Sequence, residues 1–127
     1  MWSISKDFTF SASHQLHGLP DGHQCGRVHG HNYTVRVALH GDRLDGHGFI
    51  LDYGELAPFG RWLDANVDHR HLNDVFGFQP SAELLAQHLH AVLHSQVPVP
   101  AGVEVTVAVS ETPKSWAEYD GPVTALS

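Results

Sequence analysis

The chain is short of cysteine and of basic residues. A single cysteine, Cys25, stands among 127 residues, so no internal disulfide forms; it is a buried small hydrophobe, a metal ligand or a reactive thiol. Lysine and arginine number seven against fourteen acidic residues, for a formal net charge of -7. The seven are scattered from Lys6 to Lys114, whereas a nucleic-acid surface needs a basic stripe, and that class of function is excluded. No segment approaches the roughly 18 apolar residues of a membrane span. The start Met1-Trp2-Ser3-Ile4-Ser5-Lys6-Asp7 also lacks the basic and then apolar pattern of a secretion signal. We therefore expect a soluble, cytoplasmic protein. Its length and apolar content suit one domain, over residues 1–120, with a short tail over 121–127.

What is abundant is histidine, with twelve residues dispersed along the chain. Imidazole is the commonest metal ligand and titrates nearest neutrality, so part of this set is expected to carry chemistry. An anionic small substrate stays compatible with the acidic balance, because a bound divalent metal and a few local cations dominate a site.

Periodicity orders the chain. Trp2, Ile4, Phe8 and Phe10 alternate with polar residues and predict a strand over 2–10; Gly18, Pro20, Asp21, Gly22 and Gly26 mark a loop over 13–27. His29 to Leu39 alternates again as a second strand, with a turn over Gly41 to Gly48 and Phe49-Ile50-Leu51 completing the antiparallel pairing. Asp52 and Glu55 have the form of a helix N-terminus, and the helix is expected to run to about Asn66, with Pro58 kinking it or delaying its start. A second helix starts at Ser81, places Leu84, Leu85, His88, Leu89, Val92 and Leu93 on one face, and ends before Pro98. Val103 to Val109 is a strand, and Trp116 to Tyr119 its short partner. The order ββααββ predicts the α+β class: an antiparallel sheet with two helices on one face.

Three clusters carry candidate chemistry. In Cys25-Gly26-Arg27-Val28-His29-Gly30-His31, two histidines two apart on a strand point to the same face and can reach one ion. His14, at the end of the preceding strand-like run, offers a third ligand, and three imidazoles with an open fourth position are the catalytic arrangement of zinc. Solvated residues in a histidine-rich chain are the bland alternative. Cys25 is either the fourth ligand or, beside a cation that favours its thiolate, a base or nucleophile.

The second cluster is Asp68-His69 after the first helix. There the carboxylate can orient the imidazole in a proton relay, or both residues serve as a helix cap and solvated loop. The third is Glu111, which keeps the parity of the Val103 to Val109 strand. It can accept two parallel N–H donors from a planar heterocycle, or end the strand in solvent. His88, His90 and His94 have no acidic companion and read as residues of an amphipathic helix.

Phe10-Ser11-Ala12-Ser13-His14, Cys25 through His31, Asp68-His69 and Ser110-Glu111-Thr112, taken in order, resemble the 6-pyruvoyltetrahydropterin synthase / 6-carboxytetrahydropterin synthase family. The resemblance implies the tunnelling fold, a ββααββ unit whose sheets join into a barrel, usually as a homohexamer of two stacked trimers with active sites at subunit interfaces. It implies His14, His29 and His31 as ligands of Zn2+, Cys25 as general base, Asp68 and His69 as relay partners, and Glu111 both as the anchor of the pterin ring and as a catalytic member of the charge relay. The substrate implied is a pterin triphosphate, 7,8-dihydroneopterin triphosphate, and Arg27 and Lys114 are the cations expected to meet its phosphates. Only Gly26, Arg27 and Val28 separate Cys25 from His29. That spacing looks like the bacterial carboxy enzyme of the queuosine pathway, whereas animal pyruvoyl enzymes carry a longer insertion. Gln24, where a basic residue often stands, and Pro58 depart from the family pattern. The rivals are the pyruvoyl enzyme and a non-catalytic zinc-binding protein of the same fold.

Overall fold

The structure, a computed structural model, describes residues 1–126. Strand β1 (Trp2–His14) pairs antiparallel with β2 (His29–Gly41) along its whole length, from Trp2 opposite Gly41 to His14 opposite His29. β1 thus runs four residues beyond its expected end, because the ladder carries it through the first residues of β2. Downstream come α1 (Ala57–Asn66), β3 (Arg70–His71), α2 (Leu72–Val75), α3 (Ala82–Gln96), β4 (Glu104–Thr112) and β5 (Ser115–Tyr119). The sheet order is β3-β1-β2-β4-β5.

This is the expected α+β arrangement with two corrections. The sheet is mixed, because β3 lies parallel to β1, with Ala12 opposite Arg70. Two residues offer no period to read. They are turned into place by His69, whose φ is 59° and whose N–H donates to the Ser11 carbonyl at 2.6 Å. Phe49-Ile50-Leu51, in turn, is not a strand. Asp45 Oδ1 accepts the N–H groups of His47 at 2.8 Å and Phe49 at 3.0 Å, folding the segment onto itself, and Ile50 enters the core from a loop.

Alternation fixes the layers. Phe10 and Ala12 on β1, Tyr33, Val35, Val37 and Leu39 on β2, and Val105, Val107 and Val109 on β4 are buried in one core. Phe59 and Leu63 of α1 and Leu85, Leu89, Val92 and Leu93 of α3 cover them, each large apolar side chain contributing roughly 1.5–3 kcal/mol. Pro58 delays α1, as one of its two expected effects: a 3₁₀ turn over Tyr53–Leu56 precedes a helix that has the proline in its first turn. A Cβ on Gly60 would stand 3.0 Å from the Phe8 ring, so glycine there lets α1 approach the sheet. The Ser81 hydroxyl caps α3 by accepting from Leu84 N–H at 3.2 Å. Leu84 itself is 40% exposed, whereas His90 is 2% exposed, with its ring against Tyr119 of β5. The buried stripe of α3 is therefore rotated from the expected one, because the helix tucks over β5 as well as β4. In the tail, the Tyr119 hydroxyl donates to the Pro122 carbonyl at 2.6 Å; Ser127 of the expected tail lies outside the described residues.

Candidate metal centre

The β1–β2 register sets His14 opposite His29 and Ala12 opposite His31, so the three imidazoles converge on the core-facing side at the end of the sheet. Their ring centroids are 4.5, 4.8 and 5.1 Å apart, and one ring nitrogen from each lies within 4.8 Å of the others. His14 is fully buried.

Backbone carbonyls fix the tautomers. His14 Nδ1 is 2.7 Å from the Pro80 oxygen and His29 Nδ1 is 2.7 Å from the Arg27 oxygen. A carbonyl only accepts, so both Nδ1 atoms carry the hydrogen and both Nε2 atoms are left with lone pairs. Those two Nε2 atoms face each other at 2.9 Å, a repulsive contact between neutral rings unless a proton or a cation lies between them. The outer N–H donated to a carbonyl is also how metal-binding histidines are held. Among the described residues His31 Nε2 is buried without a hydrogen-bond partner; Glu111 Oε2 is 3.2 Å away but is not aligned as an acceptor. Burial pushes the His31 imidazole below its usual range, with the neighbouring His14 and His29 acting the same way and Glu111 opposing. A neutral imidazole is the form that binds metal. The donor set therefore fits a divalent transition metal.

Around this centre Tyr33 packs its ring 5.5 Å from His31 and 6.0 Å from His14, stacked on Phe10 at 4.8 Å. Its hydroxyl is buried without a partner among the described residues, and burial, then the charge of Glu111, raises it above the ordinary phenol range. Sequence parity put Tyr33 on this face without marking it as part of the site. Pro80 was missed as well, because a carbonyl leaves no signature in the sequence.

Asp68 and His69 form the expected pair: His69 Nδ1 lies 2.9 Å from Asp68 Oδ2, while Asp68 Oδ1 accepts the Ser11 N–H at 2.9 Å. Those two hydrogen bonds hold the Asp68 carboxyl below the usual range. The His69 side chain is 82% exposed. Cys25 sits in a 3₁₀ turn, where its N–H donates to His23 Nδ1 at 3.1 Å and its carbonyl accepts Leu16 N–H at 3.0 Å. Among the described residues its thiol makes no hydrogen bond and lies outside the histidine cluster. Arg27 contributes its carbonyl to His29 and is one of the residues lining a concavity with Leu16 to His23; Lys114 stands exposed between β4 and β5. The structure thus brings the three histidines and Glu111 together, pairs Asp68 with His69, and forms no polar contact from Cys25, the Arg27 guanidinium or Lys114 to either group. Two further pairs escaped sequence reasoning: Ser13 Oγ with His71 Nδ1 at 2.8 Å, and Ser11 Oγ with Asn32 Oδ1 at 2.7 Å.

A family model described as 6-pyruvoyl tetrahydropterin synthase matches residues 3–122. The chain belongs to that family. Among its relatives, a 6-carboxy-5,6,7,8-tetrahydropterin synthase of Synechocystis is 36% identical over 130 residues, spanning 96% of this chain and 95% of that protein. The protein of the same name from Bacillus subtilis is 33% identical over 129 residues, spanning 93% and 84%. A 6-pyruvoyl tetrahydrobiopterin synthase of Drosophila melanogaster is 32% identical over 134 residues, spanning 94% and 79%. The Caenorhabditis elegans 6-pyruvoyl tetrahydropterin synthase structure superposes with a TM-score of 0.82 at 28% identity, covering 95% of this chain and 96% of that one. The family's fold is therefore the fold of this chain.

Proposed function

We propose that this protein is a 6-carboxytetrahydropterin synthase, converting 7,8-dihydroneopterin triphosphate to 6-carboxy-5,6,7,8-tetrahydropterin, acetaldehyde and triphosphate in queuosine biosynthesis. The observation that carries the reading is the convergence of His14, His29 and His31 beside Glu111, in a family member whose relatives at 33% and 36% identity bear that enzyme's name. The three-residue gap between Cys25 and His29 supports the carboxy over the pyruvoyl product.

The metal is zinc, held by the Nε2 atoms of His14 and His29 and by His31; when bound it supplies Lewis acidity toward the substrate's side-chain oxygens. Cys25 Sγ, as thiolate, removes the proton from the adjacent carbon. Glu111 accepts paired N–H donors of the pterin ring. His69, oriented through Nδ1 by Asp68, moves the proton of the later steps at Nε2. The enzyme works as a cytoplasmic homohexamer of two stacked trimers.

Mixing purified protein with 7,8-dihydroneopterin triphosphate and identifying products by mass tests this directly. Carboxytetrahydropterin with acetaldehyde supports the assignment, pyruvoyltetrahydropterin replaces it by the family's other activity, and no turnover by metal-loaded protein points to a non-catalytic member.

A further inference from the structure

His90 and His94, four residues apart on α3, share one face of the helix, the spacing at which two histidines of a helix chelate one ion. Side chains on a helix lean toward its N-terminus, so His94 lies back over His90, and the two ring centroids are 4.8 Å apart. Counted from Ala82, the pair stands roughly 12 and 18 Å along α3 from the end that meets His14 through the Pro80 carbonyl. It shares no residue with the centre of His14, His29 and His31.

The surroundings of His90 are those of a ligand rather than of a filler. The residue is 2% exposed, yet its Nδ1 has no hydrogen-bond partner among the described residues. A buried polar atom left unpaired costs roughly 1–3 kcal/mol, and a phenylalanine would pack against the Tyr119 ring, 5.0 Å away, without that cost. Burial and then His94 push the His90 imidazole below its usual range, with the Val105 carbonyl and the charge of Asp120 opposing; burial also lowers His94. Both rings are thus held neutral, the form that coordinates a metal. Asp120, directly after β5, is the acidic companion that the helix itself lacks, since the fold brings its charge to bear on His90. His94 is only partly buried, so an ion can reach the pair from its side.

We propose that His90 and His94 form a second metal site, taking a divalent transition ion through one nitrogen of each ring, Nδ1 in His90, with Asp120 as the nearby counter-charge. Two imidazoles bind more weakly than three, so this site fills from added metal after the first centre is occupied. Nitrogen ligands favour Cu2+ over Ni2+ and Ni2+ over Co2+. Because His94 lies in the last turn of α3, the ion clasps the end of the helix that packs on β4 and β5. The site is structural and takes no part in the reaction proposed above.

Equilibrium dialysis of the full-length protein against Ni2+ is the test. The parent should bind one ion tightly and a second more weakly, and a His29→Ala/His31→Ala variant, which dismantles the first centre, should keep the weaker ion. His94→Ala should lose that weaker ion and keep the tight one, whose retention shows that the variant is folded. His90→Phe, which fills the same space, should behave as His94→Ala does. His47→Ala, which removes an exposed histidine from the loop after β2, is the control and should bind as the parent does. Ni2+ at about a hundredfold above its dissociation constant should raise the melting temperature of His29→Ala/His31→Ala by several degrees. The same variant carrying His94→Ala as well should not move. A weaker ion that persists in His94→Ala, that disappears in His47→Ala or that never binds to His29→Ala/His31→Ala would overturn the proposal, as would equal melting shifts with and without His94.

Discussion

His14 Nε2 and His29 Nε2 face each other at 2.9 Å, and each ring is locked by a carbonyl on its far nitrogen. Neither ring can rotate away without breaking a 2.7 Å hydrogen bond, and His14 is fully buried. The apposition is therefore a preformed strain in the absence of a cation and a preformed ligand pair in its presence.

Metal binding should accordingly stabilise the fold. An ion at about a thousandfold above its dissociation constant adds about 4 kcal/mol. A chelator should lower the melting temperature of the parent by several degrees and leave His29→Ala unmoved. Equal melting curves with and without chelator, for a parent that holds metal, would contradict the preformed pair.

Much of this centre was legible in the sequence because strand parity is a strict rule: His29, His31, Tyr33 and Val35 had to share a face, and they do. The Glu111 approach follows from the same rule along β4. What stayed illegible depends on contacts that have no period. The Arg27 residue acts here through its carbonyl, β3 exists because His69 turns at positive φ, and Asp45 closes a loop where a strand was expected. The rotation of α3 that exposes Leu84 and buries His90 is set by the sheet beneath, not by the helix's own pattern.

Buried histidines make the fold sensitive to acid. Burial lowers the imidazoles of His88, His90 and His94, and His88 sits against the rings of Phe76 and Phe78. In the unfolded chain they titrate near 6.5. Their neutral form thus contributes stability that is complete above that value and is lost as the pH falls below it, since the unfolded state then binds protons the folded state does not. The slope reaches about 1.4 kcal/mol per pH unit for each such proton. Urea midpoints measured between about pH 7.5 and 5.5, with chelator throughout, should fall less steeply for His88→Phe than for the parent. Parallel slopes would count against His88 as a contributor.

Asp68→Asn separates charge from shape. The amide oxygen can still accept the Ser11 N–H, so melting should change little, whereas the charge that orients His69 is gone. Turnover should fall by about a hundredfold with metal content intact. Because the Asp68 carboxyl is held below 3.8, its own titration should leave no limb in the parent's activity profile near neutrality. A large loss of stability in the variant would make Asp68 chiefly a structural clamp.

The Tyr33 hydroxyl offers a reverse test. A buried donor without a partner costs stability, so Tyr33→Phe should melt at or above the parent, by up to about 1 kcal/mol, in the metal-free protein. A loss of more than that would mean the hydroxyl has a partner in solution.

Cys25 is the residue on which the proposed chemistry turns, and its position sets two readings apart. Its thiol lies outside the group of nitrogens that converge within 4.8 Å, while its backbone is pinned by His23 and Leu16. A base needs only to reach the substrate, whereas a fourth ligand must reach the ion. Cys25→Ala should therefore bind one zinc per chain with unchanged affinity and lose turnover by at least about a hundredfold. Cys25→Ser, with an alcohol far weaker as a base at neutral pH, should be nearly as inactive despite its similar size. Zinc lost together with activity in Cys25→Ala would make the thiol a ligand, and the proton would then have to be taken by another group, with His69 the first to test.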